Sequence, residues 1–188
     1  LTQKGVATPL VAHTLPTDAG QNLWLRKRVG GSGGRGITIA TQDDRASPRY
    51  FAQRHINGQA LSLLIVANPS EPRCQPVGFT EQWAHPTKTQ PFRYGGAAGP
   101  LNVAKEFADA MISAANELVS ALGLVGLVSI DFVVSGTTPY VIEVNPRPGA
   151  TLDIFDTDDG QLLRAHIAAA RRQPFPAITV PKYDNARA

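Results

Sequence analysis

Two acidic residues in the latter part of the chain have the type and spacing to hold a metal ion. Residues 125–134 and 139–145 are rich in Val and Ile and alternate in a way typical of two antiparallel strands. Folding them symmetrically about Thr137 places Asp131 directly opposite Glu143. Carboxylates opposed in this way have Cβ atoms about 5 Å apart and repel by about 3 kcal/mol at an effective dielectric of about 20. We therefore expect solvent exposure, a shared proton or a bound cation at this pair. The other pairs of this folding are Ser129 with Asn145, Val133 with Val141, Ile130 with Val144, Phe132 with Ile142, and Val134 with Tyr140.

An asparagine and an arginine extend this pair along the same strand. Asn145 adds a neutral oxygen on the face that carries the two acids. Because oxygen-only ligands suit Mg²⁺ (or Mn²⁺), the predicted metal ligands are Asp131, Glu143 and Asn145. Arg147 follows the strand and is suited to phosphate oxygens or to developing negative charge. The alternative interpretations are a solvated sheet face with incidental acids and an ordinary loop arginine.

A glycine-rich turn lies between two predicted strands nearer the start of the chain. It contains Gly30, Gly31, Ser32, Gly33 and Gly34. The dinucleotide fingerprint Gly-x-Gly-x-x-Gly requires a helix after its glycines, and the β-branched residues 37–39 argue against one. A glycine flap between strands can instead lay backbone N–H groups over phosphates. Lys27 on the preceding strand would supply a positive charge there, with Arg26 and Arg28 on the opposite face. The alternative is a flexible hairpin tip with a solvated lysine.

The remaining elements follow from hydrophobic periodicity and turn signals. Strands are predicted at residues 23–29, 37–40, 50–56, 61–67, 76–83, 125–134 and 139–145. Helices are predicted at residues 102–122, between an Asn102 N-cap and Gly123, and at residues 159–172. Residues 85–100 are rich in Pro and Gly and are predicted to be a long loop.

Composition limits the class of protein. The chain has 188 residues, of which 43% are hydrophobic and 18% charged, so we expect a packed core. The single cysteine, Cys74, excludes an internal disulfide framework, and with no secretory signal visible we expect the cytoplasm. A net charge of +3, scattered along the chain, predicts no nucleic-acid partner, and no apolar stretch is long enough to predict a membrane partner. Because the chain opens with Leu1, we interpret it as a piece of a longer protein.

These motifs, taken in order, resemble the ATP-grasp superfamily of ATP-dependent ligases. The resemblance rests on Lys27, the glycine hairpin, the segment Gln53-Arg54-His55-Ile56-Asn57-Gly58, and Asp131 followed by Glu143-Val144-Asn145-Pro146-Arg147. It implies an α+β fold in which a small β-rich lid lobe, residues 1–56, covers a larger lobe, residues 57–188. The larger lobe would have an antiparallel sheet with flanking helices, and ATP would lie between the lobes. In the family an N-terminal domain precedes this fold, and we expect that domain to be missing from this chain.

The resemblance also implies an activity and a set of site residues. Members activate a carboxylate as an acyl phosphate, using ATP and Mg²⁺ (or Mn²⁺), for attack by an amine or another nucleophile, and they release ADP. The implied phosphate contacts are Lys27, Gly30, Gly31, Ser32, Gly33 and Gly34, and the implied adenine contacts are Gln53 and the backbones of Arg54 and Ile56. Asp131, Glu143 and Asn145 would hold the metal, and Lys27 and Arg147 would act catalytically. The partners would be small-molecule carboxylates and amines, and a homo-oligomer is left open.

Two other interpretations and one narrower assignment stay open. A kinase-like phosphotransferase would share the glycine hairpin and the acid pair, although the chain has no His-Arg-Asp or Asp-Phe-Gly segment. A nucleotide-binding module without catalytic activity is the other alternative. Residues 92–96 resemble a subgroup of the superfamily from methanopterin-linked one-carbon metabolism.

Overall fold

The computed structural model describes residues 5–17, 19–71, 73–175 and 177–180. Within these residues seven strands precede the first helix, and two further strands and two helices follow it. The strands are β1 (Val11–Ala12), β2 (Trp24–Arg28), β3 (Ile37–Ile39), β4 (Tyr50–Arg54), β5 (Gln59–Ala67), β6 (Gln75–Ala84), β7 (Tyr94–Ala98), β8 (Gly126–Ser135) and β9 (Thr138–Asn145). The helices are α1 (Lys105–Leu122), α2 (Leu152–Phe155) and α3 (Gln161–Ala170). The mixture of antiparallel sheets and few helices is the predicted α+β class.

The described residues form two compact units. The smaller unit consists of Pro9–Asn57 and Gln82–Gly96. The larger unit combines the described residues up to Thr8 with Gly58–Glu81 and with those from Ala97 onward. The predicted lobes, residues 1–56 and 57–188, are continuous, whereas each observed unit is built from separate segments. The predicted lobes also include residues 1–4 and 181–188, which lie outside the described residues.

The smaller unit contains a four-stranded antiparallel sheet. Its strand order is β1-β4-β2-β3, with β2 paired to both β3 and β4. Trp24, Leu25 and Ala52 are its buried apolar residues. The predicted strands at residues 23–29, 37–40 and 50–56 are confirmed, whereas β1 is two residues long and was too short to give a periodic signal.

The larger unit is organised around β5 and β8, which lie at the centre of a sheet in the order β7-β6-β5-β8-β9. One face packs against α1, where Met111 and Leu118 meet Leu63, Ile130 and Phe132. The other face packs against α2 and α3. The residues of this second core include Leu64, Val66, Leu127, Ile154, Phe155, Leu162, Ala165 and Ala169. Because β5 and β8 are covered on both faces, their sequences are almost continuously apolar.

The hairpin of β8 and β9 differs in part from the symmetric folding. Asp131 pairs with Glu143, Ser129 with Asn145, and Ile130 with Val144, as predicted. Nearer the turn the predicted pairs are wrong by one residue, because the turn is the two-residue Gly136-Thr137 connection. The observed pairs there are Phe132 with Val141, Val133 with Tyr140, Val134 with Pro139, and Ser135 with Thr138. A β-bulge between Asp131 and Phe132 absorbs the difference and leaves Ile142 as the extra residue.

The predicted loop at residues 85–100 is also wrong in part, because it contains strand β7. The glycines that suggested a loop instead allow the backbone of β7 to lie close to the Trp83 ring. A Cβ on Gly95 would lie 2.7 Å from the Trp83 ring, and one on Gly96 would lie 2.5 Å from it. Glycine in a strand is compatible with this kind of contact, which propensity alone does not reveal.

The two long helices begin later than predicted. Helix α1 begins at Lys105 with Ala104, not Asn102, at the N-cap position. Leu101 and Val103 stay outside the helix because they pack against the core, and Leu101 N donates to Phe79 O. The predicted end at Gly123 is confirmed, with φ 62°. Helix α3 begins at Gln161 and ends at Ala170, and short helix α2 was not predicted.

Candidate active site

The bulge in β9 is what brings the two predicted acids face to face. If the ladder continued regularly from the Ser135–Thr138 pair, Glu143 would lie opposite Ile130 and turn toward the apolar core. With the extra residue Ile142, Glu143 lies opposite Asp131 instead. The bulge interrupts the regular hydrogen bonding between β8 and β9, and it turns the Glu143 side chain to the face that carries Asp131. The acid pair is therefore a product of local geometry that the fold maintains.

Two neighbouring side chains hold Asp131 in place. Ser62 lies directly opposite Asp131 on β5, and its Oγ donates to Asp131 Oδ1 at 2.7 Å. Asn145 Nδ2 donates to Asp131 Oδ2 at 3.3 Å. Ser62 is buried, Asp131 and Asn145 are half-buried, and Glu143 is exposed. The predicted ligands Asp131, Glu143 and Asn145 are thus brought together at one end of the sheet.

Ser62 is a site residue that the sequence analysis missed. It interrupts the otherwise apolar strand β5, where its neighbours Leu61, Leu63 and Leu64 are all buried. A polar residue inside a buried strand needs a partner, so this interruption is the signal that could have identified it. Among the described residues, no group of three or more His, Cys, Asp or Glu side chains could hold a metal ion. A cation here would depend on two carboxylates and an amide.

Arg147 lies just beyond this cluster, on the loop after β9. Its side chain is exposed, and its Nη1 donates to the carbonyl of Pro148 at 3.3 Å. Its backbone N donates to Asn145 O at 2.9 Å, so the chain turns sharply there. The guanidinium is folded onto its own loop and retains further N–H groups for an anion.

Lys27 and Gln53 come together on one face of the smaller sheet. They are diagonal neighbours on β2 and β4, and Lys27 Nζ donates to Gln53 Oε1 at 3.2 Å. Gln53 is buried and Lys27 half-buried. Arg26 lies on the opposite face, with its guanidinium 3.5 Å from the centre of the Tyr50 ring. The predicted alternation of Lys27 and Arg26 is confirmed.

The glycine turn is held against a neighbouring segment and is not a free tip. Tyr94 N donates to Gly33 O at 2.9 Å. A Cβ on Gly34 would lie 1.7 Å from Phe92 O, so only glycine allows this approach. Gly30, Gly33 and Gly34 have positive φ values of 70°, 62° and 72°. Ser32 lies at the same turn, where Arg35 N donates to its carbonyl.

The predicted adenine contacts lie at the end of β4 and just beyond it. Arg54 is the last residue of β4, and its N–H donates to Leu10 O at 2.9 Å. His55 N donates to Leu23 O, and Ile56 follows as a half-buried residue outside the strand. The Arg54 N–H is therefore engaged within the smaller unit.

Comparison with known proteins defines the class to which this fold and these residues belong. A family model described as an ATP-grasp domain matches residues 1–151. The chain therefore belongs to the ATP-grasp family, and the resemblance inferred from its motifs is confirmed at that level. The predicted ATP-grasp fold, with antiparallel sheets and few helices, is confirmed with it.

Individual relatives match smaller shares or share only the fold. The carbamoyl phosphate synthase large chain of Neisseria gonorrhoeae is 33% identical over 69 residues, which are 37% of this chain and 6% of that protein. The biotin carboxylase–β-γ-ATP complex from Campylobacter jejuni superimposes with a TM-score of 0.73 at 15% identity, over 95% of this chain and 46% of that one. N5-carboxyaminoimidazole synthetase from Staphylococcus aureus, complexed with ADP, gives a TM-score of 0.69 at 15% identity, over 93% of this chain and 50% of that one. This chain thus spans about half the length of its structural neighbours.

Among the described residues, no helix has the length and apolar character needed to cross a membrane.

Proposed function

We propose that this chain is the ATP-binding portion of an ADP-forming ligase that activates a carboxylate for attack by an amine or a similar nucleophile. The observation that carries the proposal is the opposed Asp131–Glu143 pair, with Asn145 beside it, in a chain of the ATP-grasp family. The carboxylate would attack the terminal phosphorus of ATP, forming an acyl phosphate and ADP. The amine would then attack the acyl carbon, lose a proton and displace phosphate.

The donor set fits Mg²⁺ or Mn²⁺. Its ligands are two carboxylates and one amide. The two carboxylates lie opposite each other and repel, and a cation bound between them would lower that repulsion. Asn145 presents its Nδ2 to Asp131, and a half-turn of the amide would present its oxygen instead. When bound, the cation would neutralise charge on the phosphates. Asp131, Glu143 and Asn145 would hold it, and Ser62 would keep the Asp131 carboxylate oriented.

The smaller unit supplies the proposed nucleotide contacts. Lys27 would contact phosphate oxygens, and the backbone N–H groups of the glycine turn, from Gly30 to Gly34, would cover them. The Gln53 side chain and the backbones of Arg54 and Ile56 would recognise adenine. A ligand phosphate would compete with Gln53 for the Lys27 ammonium, which now donates to Gln53 Oε1.

Arg147 would stabilise the transferring phosphoryl group or the acyl phosphate. Its position two residues after the proposed metal ligand Asn145, with its backbone N–H bonded to the Asn145 carbonyl, supports this role. The Arg147 guanidinium, which donates to the carbonyl of Pro148 on its own loop, could reach a bound anion by a rotation of its side chain. Its contribution would be electrostatic and positional, as the chemistry requires.

Three narrower statements belong to the proposal. The sequence of residues 92–96 supports the methanopterin-linked subgroup of one-carbon metabolism. A single, buried cysteine suits a reducing cytoplasm. Both substrates would be small molecules, and the protein would work alone or as a homo-oligomer.

Isothermal calorimetry with Mg²⁺ and ATP tests the cation site. We expect Asp131→Asn combined with Glu143→Gln to weaken MgATP binding at least about 10-fold, because the paired negative charge that calls for the cation is lost. Asp43→Asn combined with Glu71→Gln is the matched control, since it removes the same charge from exposed turn positions outside the hairpin. Equal MgATP affinity in the wild type and the hairpin variant would refute the proposal.

Product analysis separates the ligase from the two alternatives. A ligase releases ADP only when a carboxylate is present. When hydroxylamine serves as the nucleophile, it traps the acyl phosphate and a hydroxamate is the product. A kinase-like enzyme would instead transfer the γ-phosphate to a stable hydroxyl product. MgATP binding without carboxylate-dependent ADP release, across a panel of carboxylates, would support a binding module.

A further inference from the structure

A buried serine beside the proposed cation site has no visible partner. Ser129 is 6% exposed, and its Oγ has no hydrogen-bond partner within the part of the chain that the structure describes. It lies two residues before Asp131 on the same face of β8, directly opposite Asn145. A hydroxyl left unpaired in a buried place destabilises the protein, so its retention calls for an explanation.

A glycine on the loop after β9 keeps the space beside this hydroxyl open. A Cβ on Gly149 would lie 2.8 Å from Ser129 Oγ and 4.0 Å from Thr151 Oγ1. The same small volume thus adjoins two hydroxyl oxygens and would be filled by a single methyl group. Gly149 does not have a positive φ, so backbone strain is not what calls for glycine there. We name this space, bounded by Ser129, Gly149 and Thr151, the hydroxyl niche.

We infer that Ser129 is a positioning residue whose hydroxyl holds a water molecule belonging to the bound cation. The niche lies beside Asn145, and Mg²⁺ usually retains several waters when few protein groups bind it. A water in the niche would give Ser129 Oγ its missing partner, and it would link the cation to the loop that carries Arg147. This inference rests on the proposed function, because it requires a cation at Asp131, Glu143 and Asn145.

We expect Ser129→Ala to weaken MgATP binding without destabilising the free protein. Without ligand, the variant should unfold at the same temperature as the wild type or up to about 4 °C higher, since an unpaired buried hydroxyl is removed. With MgATP, its Kd by calorimetry should be about 10-fold weaker, the scale of losing a group that supports a metal ligand. A residue that only packs the sheet would not give this combination. An unchanged Kd, or a lowered unfolding temperature of the free variant, would overturn the inference.

A double variant tests the geometry of the hydroxyl niche. Gly149→Ala alone should lower the unfolding temperature, because its new methyl group meets Ser129 Oγ. In the Ser129→Ala background the same change should lower the unfolding temperature much less. The Ser129 oxygen is then gone, and the next atoms, Ser129 Cβ and Thr151 Oγ1, lie at ordinary van der Waals distances of 3.7 and 4.0 Å. An equal loss in both backgrounds would contradict the niche.

Parallel titration of Asp131→Asn separates this inference from the proposed function. Weak MgATP binding by Asp131→Asn with normal binding by Ser129→Ala would overturn only the role of Ser129. Normal binding by both variants would overturn the cation site itself.

Discussion

The hydroxyl of Ser62 is a sensitive point of the site at the scale of single residues. Its Oγ donates to Asp131 Oδ1 at 2.7 Å from inside a buried strand. Removing such a support to a metal ligand typically costs 10- to 100-fold in metal affinity, so we expect Ser62→Ala to weaken MgATP binding by about 10-fold. Calorimetry checks this, with Ser120→Ala on the exposed side of α1 as the control. Affinity unchanged in Ser62→Ala would show that Asp131 needs no such support.

Cys74 supplies a prediction on pH dependence. Burial raises the pKa of its thiol from 9.0 to about 11, although a hydrogen bond to its backbone partly opposes this. An unfolded chain would ionise this thiol near pH 9, while the folded chain keeps its proton until about pH 11. The stability from the neutral thiol is therefore complete below pH 9 and is lost as the pH rises through 11.

We expect the destabilising effect of Cys74→Ala to be smaller at pH 10.5 than at pH 7.5, by about 1–2 kcal/mol. Urea unfolding of both proteins at the two pH values measures the difference. Comparison with the variant cancels the other groups that titrate in this range. A difference that does not change with pH would contradict the prediction.

The sequence indicated which residues could carry out chemistry, but it did not indicate which other side chains hold them in place. Opposed strands made Asp131, Glu143 and Asn145 a set, because alternation along a hairpin decides which side chains share a face. Ser62 comes from a strand 69 residues before Asp131 in the chain. Nothing local links them, since their pairing depends on how β5 lies against β8.

At the scale of elements, the glycine turn owes its conformation to the segment beneath it. Gly33 and Gly34 both have positive φ, but a Cβ on Gly33 would meet nothing within 4 Å, whereas one on Gly34 would collide with Phe92 O. Each alanine substitution carries backbone strain of about 1 kcal/mol, and only Gly34→Ala must also move the turn.

We therefore expect Gly34→Ala to lower stability clearly more than Gly33→Ala and to make the turn accessible to protease. Limited proteolysis and urea unfolding of the two variants measure this. Equal behaviour would mean that the turn does not depend on its contact with residues 92–94.

His166 on α3 determines how strand β8 begins. Its Nδ1 accepts a hydrogen bond from Leu127 N at 3.0 Å, and Gly126 leaves the space for the ring, since a Cβ there would lie 2.2 Å from Nδ1. We expect His166→Leu to cost about 1–3 kcal/mol of stability, because a partly buried N–H loses its acceptor. His166→Asn is the matched variant, since it can keep an acceptor at the δ position. Chemical denaturation measures both, and an equal loss would show that packing, not the hydrogen bond, is what matters.

Element positions were predictable wherever periodicity was strong, and element irregularities were not. Strands β5 and β8 and helix α1 have long apolar patterns, so their existence followed from the sequence. The bulge at Ile142 did not, because it compensates for a two-residue turn that only the folded hairpin defines. Strand β7 was missed because its glycines serve contact with Trp83, which is a tertiary requirement.

At the scale of the whole molecule, family membership followed from the order of motifs and not from any one of them. The glycine turn alone fits several folds, and the acid pair alone fits many metal sites. Their sequence order, from Lys27 through the Gln53–Gly58 segment to Arg147, is what suggested the family, and the family model that matches residues 1–151 spans all of them. The division into units was harder, because residues 82–96 return to the smaller unit after a long excursion along the chain.

The identities of the two substrates belong to the same scale. The chain spans about half the length of its structural neighbours, and the site residues proposed for it concern the nucleotide, the cation and the transferring phosphoryl group. A panel of carboxylates, scored by ADP release, would identify the acid, and a panel of amines offered with that acid would identify the nucleophile.

Anomalous X-ray diffraction from crystals grown with Mn²⁺ and a non-hydrolysable ATP analogue tests the central claim most directly. The account predicts a manganese peak about 2.0–2.3 Å from carboxylate oxygens of both Asp131 and Glu143. A fully occupied manganese peak away from this hairpin, with both acids bonded only to protein groups, would contradict it.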